Sequence, residues 1–294
     1  MPNLKEVRNR ITSVNSTMQI TSAMKVVSAA KLRKAQNRIV QMRPYAQKLT
    51  EILGRLSSSL DTSENVFSAE REVKNVLLVL VTSNRGLCGA FNANVIKKAR
   101  SIIKEDTTGV NYKIVTVGKK AFDFYKKSDN IISGSTLKAD NHALFDNLDF
   151  KMASEIPNAI MEEYAAKKFD KVVLIYNRFK NAATQVLETE QMLPILKPSD
   201  EASQKDNTDY LFEPSKIEIV ENLIPKSLKT QFYKAVLDSN AAEHGARMTA
   251  MHKATDNASD LLSDLKLTYN KARQASITNE ILEIVSGASA LDDA

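Results

Sequence analysis

The sequence predicts a mixed α/β protein in which long N- and C-terminal helices form an antiparallel coiled coil with an α/β domain inserted between them. Three observations predict this fold class. An apolar repeat of 3.5 residues runs through the first 60 residues, strand-like and helical patterns alternate after it, and a second helical pattern rich in alanine fills the C-terminal part. The expected domains are 1–60, 61–209 and 210–294.

The N-terminal segment has the pattern of one long supercoiled helix. Alternating steps of three and four residues lead from Leu4 to Leu60, and 14 of these 17 positions, called the seam below, are apolar. A repeat held in phase over this length is typical of a coiled-coil helix. The exceptions, Thr21, Lys25 and Ser28, are consecutive in the seam, which indicates either local repacking or a contact point. The apolar residues there stand one place earlier, at Ile20, Met24 and Val27.

The C-terminal segment predicts a second long helix that begins near Glu213-Pro214, since proline is favoured in a first turn. Alanines at four-residue intervals would let a neighbouring helix approach closely. They are Ala242, Ala246, Ala250, Ala254 and Ala258. Pro225 predicts a bend or break near Ile224, and hence a short helix followed by a long one, whereas Pro44 is expected to kink the first helix without ending it.

Helix length favours the antiparallel arrangement. At ~1.5 Å per residue, positions 4–60 would span roughly 85 Å and positions 226–286 roughly 90 Å. A compact chain of this size has a radius of gyration of about 19 Å. Both helices should therefore project from any globule, and pairing them antiparallel places the remaining domain between them.

The middle segment predicts a mostly parallel sheet with helices on its faces, because strand patterns alternate with helical ones. The expected strands are 75–82, 112–117, 171–176 and, at the edge of the sheet, 184–193; the expected helices are 93–104 and 150–167. This alternation is Rossmann-like. Residues 197–209 have the composition of an exposed loop.

The charge distribution separates the first helix from the rest of the chain. The net charge is +6, yet residues 1–60 alone carry +9, with no acidic residue between Arg8 and Lys48. Such a block indicates an anionic partner or a solvated face. The single cysteine, Cys88, excludes an intrachain disulfide and a multi-cysteine metal site. The longest strongly apolar run, Val76–Val81, is far shorter than the ~20 residues of a membrane span, so we expect a cytosolic protein.

No group of residues predicts catalysis, a metal or a cofactor. The loop Arg85–Gly89 follows the first strand, where nucleotide-binding folds hold phosphate, but it lacks the third glycine of a dinucleotide motif and the Gly-Lys-Ser/Thr of a P-loop. We interpret it as a structural loop, with Cys88 as a small buried side chain. The histidines lack metal-site spacing, and the paired acids stand where solvated charge is usual. They are His142, His244 and His252, and Glu162 with Glu163 and Glu188 with Glu190.

Two function classes remain from the residues alone. One is a mechanical or scaffolding protein whose basic coiled coil enters an acidic partner, and the other is a nucleic-acid binder that uses the same helix. The second is weaker, because the basic residues occupy several helix faces and Tyr45 is the only aromatic residue among them. Small uncharged residues opposite the seam favour enclosure by a partner. They are Asn9, Ser16, Ala23, Ala30, Asn37 and Pro44.

Both ends of the sequence carry stretches with the pattern of a known family, which are 5–8, 19–27 and 29–36 near the N-terminus and 246–248, 254–258 and 269–288 near the C-terminus. In these stretches the sequence resembles the gamma subunit of F-type ATP synthases. The segments 85–89 and 210–214 also match, so the resemblance covers essentially the whole chain.

The resemblance implies a central-stalk rotor that is not catalytic alone. In such proteins the coiled coil lies inside a hexamer of alternating alpha and beta subunits, and ion-driven rotation of the membrane ring changes the catalytic beta sites and regulates ATPase activity and proton flow. The implied partners are the alpha, beta and epsilon subunits and the c-ring, with one copy of this chain per complex and no nucleic acid. The implied location is the cytoplasmic face of the bacterial inner membrane, without a membrane span.

The resemblance also implies partner contacts at three places along the chain, besides a contact of the middle domain with the epsilon subunit. An acidic lever and a catch loop of the beta subunit should each meet one of the terminal helices, and the membrane ring should meet the foot. The residues concerned are Met24 and Lys25 for the lever, Arg273, Gln274 and Thr278 for the catch loop, and the segment from Tyr210 to Glu213 for the ring.

Overall fold

A computed structural model describes residues 4–57, 66–69, 71–107, 109–195 and 216–292 of the chain. The elements over these residues follow the predicted order. They are α1 (Leu4–Ser57), β1 (Asn75–Val81), α2 (Phe91–Glu105), β2 (Asn111–Val117), α3 (Lys119–Tyr125), a 3₁₀ turn (His142–Phe145), α4 (Phe150–Ala165), β3 (Lys171–Phe179), β4 (Gln185–Leu193) and α5 (Lys216–Asp292). None of the described helices combines the length and apolarity needed to cross a bilayer.

The four strands form one sheet in the order β2-β1-β3-β4. β1 pairs in parallel with β2, from Asn75 opposite Asn111 to Val81 opposite Val117, and it pairs in parallel with β3 on its other side. β4 runs antiparallel to β3 at the edge. The predicted mostly parallel sheet with an edge strand at 184–193 is confirmed, and the nearly unbroken apolar sequence of β1 is typical of a strand buried on both faces.

Helices α2 and α3 cover one face of the sheet. Val95 and Ala99 of α2 and Ala121 and Tyr125 of α3 form one buried cluster with the sheet. The turn into α3 depends on Gly118, which has a φ of 112° and lies so close to β1 that a Cβ atom there would be 2.1 Å from the carbonyl oxygen of Thr82. Only glycine fits this position.

Helix α1 keeps its seam in phase where the apolar pattern shifts. Every seam position from Leu4 to Leu49 is buried or half-buried, Thr21 and Ser28 included. The apolar residues one place earlier do not replace them in the buried seam, because Ile20 is 60% exposed and Val27 is 56% exposed. The polar residues therefore pack where the repeat puts them, Ile20 and Val27 face outward, and Met24 is half-buried. α1 also continues through Pro44, as expected.

Helix α5 corrects one prediction, since it runs without a break through Pro225. A proline inside a helix removes one backbone hydrogen bond and costs about 3 kcal/mol. Ile224 and Leu228, on either side of it, are 5% and 2% exposed. Burial of two such side chains yields a free energy of about 3 to 6 kcal/mol, which is enough to keep the helix continuous.

The residues group into two compact units. One contains the chain up to Ser28 together with the chain from Met248 onward, and the other is Ala29–Arg247, which includes the sheet and the adjoining parts of α1 and α5. The division into 1–60, 61–209 and 210–294 stays a prediction from sequence.

Candidate functional site

Polar side chains of α1 and α5 meet where the seam loses its apolar residues. The hydroxyl oxygen of Thr21 lies 2.9 Å from that of Thr255. One helical turn further along α1, Lys25 Nζ lies 3.3 Å from His252 Nδ1, which in turn lies 3.4 Å from a carboxylate oxygen of Asp256. Nδ1 can accept a hydrogen bond from the Lys25 amino group or, as an N–H, donate one to Asp256, but not both at once. Lys25 is half-buried by this contact with α5.

An apolar surface lies beside Lys25 on the outer side of α1. Ile20, Val26 and Val27 are all more than half exposed, Ala23 is exposed, and Met24 is half-buried. Ile20, Ala23, Met24 and Val27 share one helix face, because Ile20 lies three, four and seven positions before the other three, and Val26 lies at its edge, three positions after Ala23. An exposed apolar patch next to a cation is typical of a protein-interaction surface.

The predicted catch-loop residues occupy a second, separate region of α5. Arg273, Gln274 and Thr278 are exposed, and Thr278 Oγ1 donates a hydrogen bond to the carbonyl oxygen of Gln274 at 2.9 Å. They lie at least 21 residues beyond His252, the neighbour of Lys25, which corresponds to about 32 Å along a helix. The structure therefore does not bring the lever and catch-loop residues together. Tyr210 and Glu213 lie outside the described residues.

The C-terminal turns of α5 expose a broad apolar face. Described side chains from Ile277 to Ser286 are exposed, and Ile284 is 70% exposed. The large apolar ones are Ile277, Ile281, Leu282, Ile284 and Val285. An exposed apolar face of this size is typical of a surface that a partner covers.

A third polar site lies in the larger unit, where α5 meets the loop after β1. Arg247 and Glu243 are only 8% and 7% exposed, and Arg247 Nη1 donates to Glu243 Oε1 at 2.6 Å. Nη2 of Arg247 donates to the carbonyl oxygens of Arg85 at 3.0 Å and Gly86 at 3.3 Å, and Nε also reaches Gly86. This site was not identified from the sequence. Two features of the sequence could have indicated it: a glutamate and an arginine four residues apart, and the row of alanines beside them.

The position of this site in the fold is one where α/β sheets commonly bind ligands. The strand order reverses between β1 and β3, and ligands normally bind outside the carboxyl ends of strands at such a point. Here Ala242 and Ala246 of α5 pack there against Cys88, Phe91 and Phe179. The interpretation of Arg85–Gly89 as a structural loop fits this arrangement, because the loop receives a helix of its own chain.

Burial changes the proton affinity of three groups at this site. It raises the pKa of Glu243, an effect that Arg247 opposes, and it raises the pKa of the Cys88 thiol. Burial, the Arg247 charge and Lys31 together lower the pKa of His244 to about 4. His244 is therefore neutral near pH 7 and can accept a hydrogen bond from Arg247, whose Nη1 lies 3.4 Å away. Cys88, 2% exposed, is the small buried side chain that the sequence predicts.

One of the paired acids is not solvated as predicted. Glu162 is exposed, but Glu163 is only 3% exposed, because helix α4 turns it toward Thr136. Burial alone would raise the pKa of Glu163, but hydrogen bonds from Lys168 at 3.0 Å and Thr136 at 2.7 Å lower it to about 2. Its role is to fix the segment before α4 to that helix.

Comparisons with known proteins agree on one family. A family model described as ATP synthase matches residues 3–291. The ATP synthase gamma chain of Christiangramia forsetii is 57% identical over 293 residues, covering 99% of this chain and 100% of that protein. The gamma chain of Flavobacterium johnsoniae is 57% identical over 296 residues, with the same coverage. A chain of the Euglena gracilis mitochondrial ATP synthase, at 22% identity, has the same fold with a TM-score of 0.64 over 98% of this chain and 94% of its own.

Proposed function

Because this chain belongs to the ATP synthase gamma-chain family, we propose that it is the central-stalk rotor subunit of an F-type ATP synthase. It is a non-catalytic component of that complex. Its rotation couples ion flow through the membrane part to ATP synthesis or hydrolysis in the head, and through this coupling it regulates both activities.

The observation that best supports a rotor is the exposed apolar end of α5. Ile281, Leu282 and Val285 are each more than half exposed, and they lie within about 100° of one another around the helix axis. Leaving such side chains in water opposes stability at about 25 cal/mol per Å² of apolar surface. A surrounding sleeve removes that cost without fixing the helix in one orientation, which is what a rotating shaft requires.

We assign the partners within the complex from the same family relation. The alpha and beta subunits form the sleeve, the epsilon subunit binds the α/β domain, and the c-ring drives the foot. One copy of the chain serves each complex, at the cytoplasmic face of the bacterial inner membrane.

The contact residues follow from their positions on the two helices. Met24 and Lys25, beside the exposed apolar face of α1, are proposed to meet an acidic lever of the beta subunit. The exposed side chains of Arg273, Gln274 and Thr278 are proposed to meet a catch loop of the same subunit type. Tyr210 and Glu213 are proposed to contact the membrane ring.

Reconstitution tests the proposed function. The full chain, mixed with alpha and beta subunits from the same organism, should co-purify with them, and a bead attached to the chain should rotate when ATP is added. The chain alone should not hydrolyse ATP. ATP hydrolysis by the purified chain, or recovery of nucleic acid in place of alpha and beta subunits, would contradict the proposal.

A further inference from the structure

The contact between α5 and the loop after β1 is a polar connection inside an otherwise apolar interface. All five N–H groups of the Arg247 guanidinium have an acceptor within 3.4 Å: Glu243, His244 and the two loop carbonyl groups. The side chain is 8% exposed. A buried ion pair adds little net stability compared with apolar packing, because both charges lose their hydration. Its geometric effect is larger, since the planar guanidinium fixes the direction of every acceptor.

The opposite side of α5 is held by close packing at the turn between β3 and β4. A Cβ atom at Gly245 would lie 3.3 Å from the Cα and carbonyl oxygen of Ala182 and 3.4 Å from the ring of Phe179. Ala242 and Ala246 complete this surface against Cys88 and Phe91. The helix is therefore confined by the ends of two adjacent strands, β1 and β3.

We propose that Arg247, oriented by Glu243, is a positioning residue that locks the Arg85–Gly89 loop to α5, so that the α/β domain and this part of the helix turn as one body. This inference rests on the proposed rotor function and adds to it the joint through which torque passes. Without the joint, only the close packing of Gly245 and the small side chains of Ala242 and Ala246 would resist rotation of α5 relative to the loop.

The first test measures the joint itself, independently of any rotor function. Hydrogen exchange of the backbone amides in residues 83–89 is followed in the full chain, with Arg247→Gln compared with Lys226→Gln, which neutralises an exposed cation of the same helix. We expect at least tenfold faster exchange of the loop in Arg247→Gln and no change in Lys226→Gln. Equal exchange in the two variants would overturn the proposal, whatever the chain does in the complex.

The second test measures torque transfer in the assembled complex in membrane vesicles. Arg247→Gln should keep ATP hydrolysis within about twofold of the unaltered complex and lower ATP-driven ion pumping at least fivefold. Arg247→Lys retains the charge but offers only three donors, so its ion pumping should lie between that of Arg247→Gln and that of the unaltered complex. Two results in Arg247→Gln would overturn the proposed role. One is faster exchange of the loop with an unchanged ratio of ion pumping to ATP hydrolysis, and the other is an equal loss of both activities.

Variant Glu243→Gln keeps the test decisive if Arg247→Gln does not assemble. It retains an acceptor for Arg247 and removes the charge that holds the guanidinium, so we expect a loosened loop and a smaller loss of pumping. Failure of the unaltered chain to join the head would instead refute the rotor function, and it would leave the exchange result to decide on the joint.

Discussion

The Lys25 side chain contacts α5, and it also lies beside the face of α1 that is proposed to meet the beta subunit. Its amino group is 3.3 Å from His252, and Asp256 stands beside that histidine. A glutamate at position 25 would therefore repel Asp256 in addition to any acidic lever. The two effects must be separated by a compensating change on α5.

We expect Lys25→Glu to lower the yield of ATP synthesis per ion transported about fivefold while the head still assembles, because a carboxylate would face an acidic partner. The double variant Lys25→Glu with Asp256→Lys restores opposite charges between α1 and α5. If the partner contact matters, coupling stays low in this double variant, as measured by ATP synthesis in vesicles. Full recovery would mean that Lys25 acts only by pairing the two helices.

His244 makes the stability of the chain depend on pH. Its pKa is about 4 in the folded chain, against 6.5 for an ordinary histidine, because burial and the Arg247 charge disfavour the proton. The unfolded chain therefore binds more protons between these values, and the associated stability, present above pH 6.5, is lost as the pH falls toward 4. At pH 5 the loss is on the order of 2 kcal/mol.

We expect His244→Gln to lose less stability than the unaltered chain when the pH is lowered from 7 to 5, measured as the free energy of unfolding in urea. The raised pKa of Glu243 acts in the opposite direction, but it is present in both proteins and largely cancels. His142→Gln, which changes an exposed histidine, is the matched control and should behave like the unaltered chain. Equal losses in all three proteins would show that His244 is not the group responsible.

At the level of elements, α1 shows why the heptad repeat predicts more than individual side chains do. Thr21 and Ser28 stay in the seam because shifting the buried stripe by one residue would turn the helix by about 100° and remove Leu32 and Ile39 from it. Thr21 tolerates burial because its hydroxyl lies 3.0 Å from the carbonyl oxygen of Met18. The repeat thus predicted the packing correctly, whereas the local apolar pattern did not.

Two features of α5 could not be predicted from the sequence: the continuous helix at Pro225 and the contacts of Arg247. Pro225 has the local signature of a helix break, and only the burial of Ile224 and Leu228 offsets it. Arg247 stands on a helical pattern like any other cation, and nothing in its neighbours shows that its acceptors belong to a loop 161 residues away. The positions of the strands, the alternation of strands with helices that indicates a parallel sheet, and helix periodicity are visible in local patterns, so the sequence predicts them. Contacts between segments far apart in the chain leave no such pattern.

At the level of the whole molecule, the uneven charge predicts how the chain finds its partner. The net charge is +6 because residues 1–60 carry +9 and the rest is slightly acidic. If the sleeve is acidic, this charge accelerates the encounter, and salt screens the attraction over a Debye length of about 10 Å at 0.1 M. We therefore expect assembly with alpha and beta subunits to slow roughly tenfold between about 0.05 M and 0.5 M salt, followed by fluorescence mixing experiments.

The control for this prediction removes charge without touching the seam. Arg33, Lys34 and Arg43 are exposed on α1, and their joint replacement by glutamine lowers the charge of the first 60 residues from +9 to +6. This variant should assemble more slowly at low salt and depend less on salt, because less attraction remains to be screened. Equal rates and equal salt dependence in the two proteins would show that apolar enclosure alone drives assembly, with the basic residues serving only to keep the helix soluble.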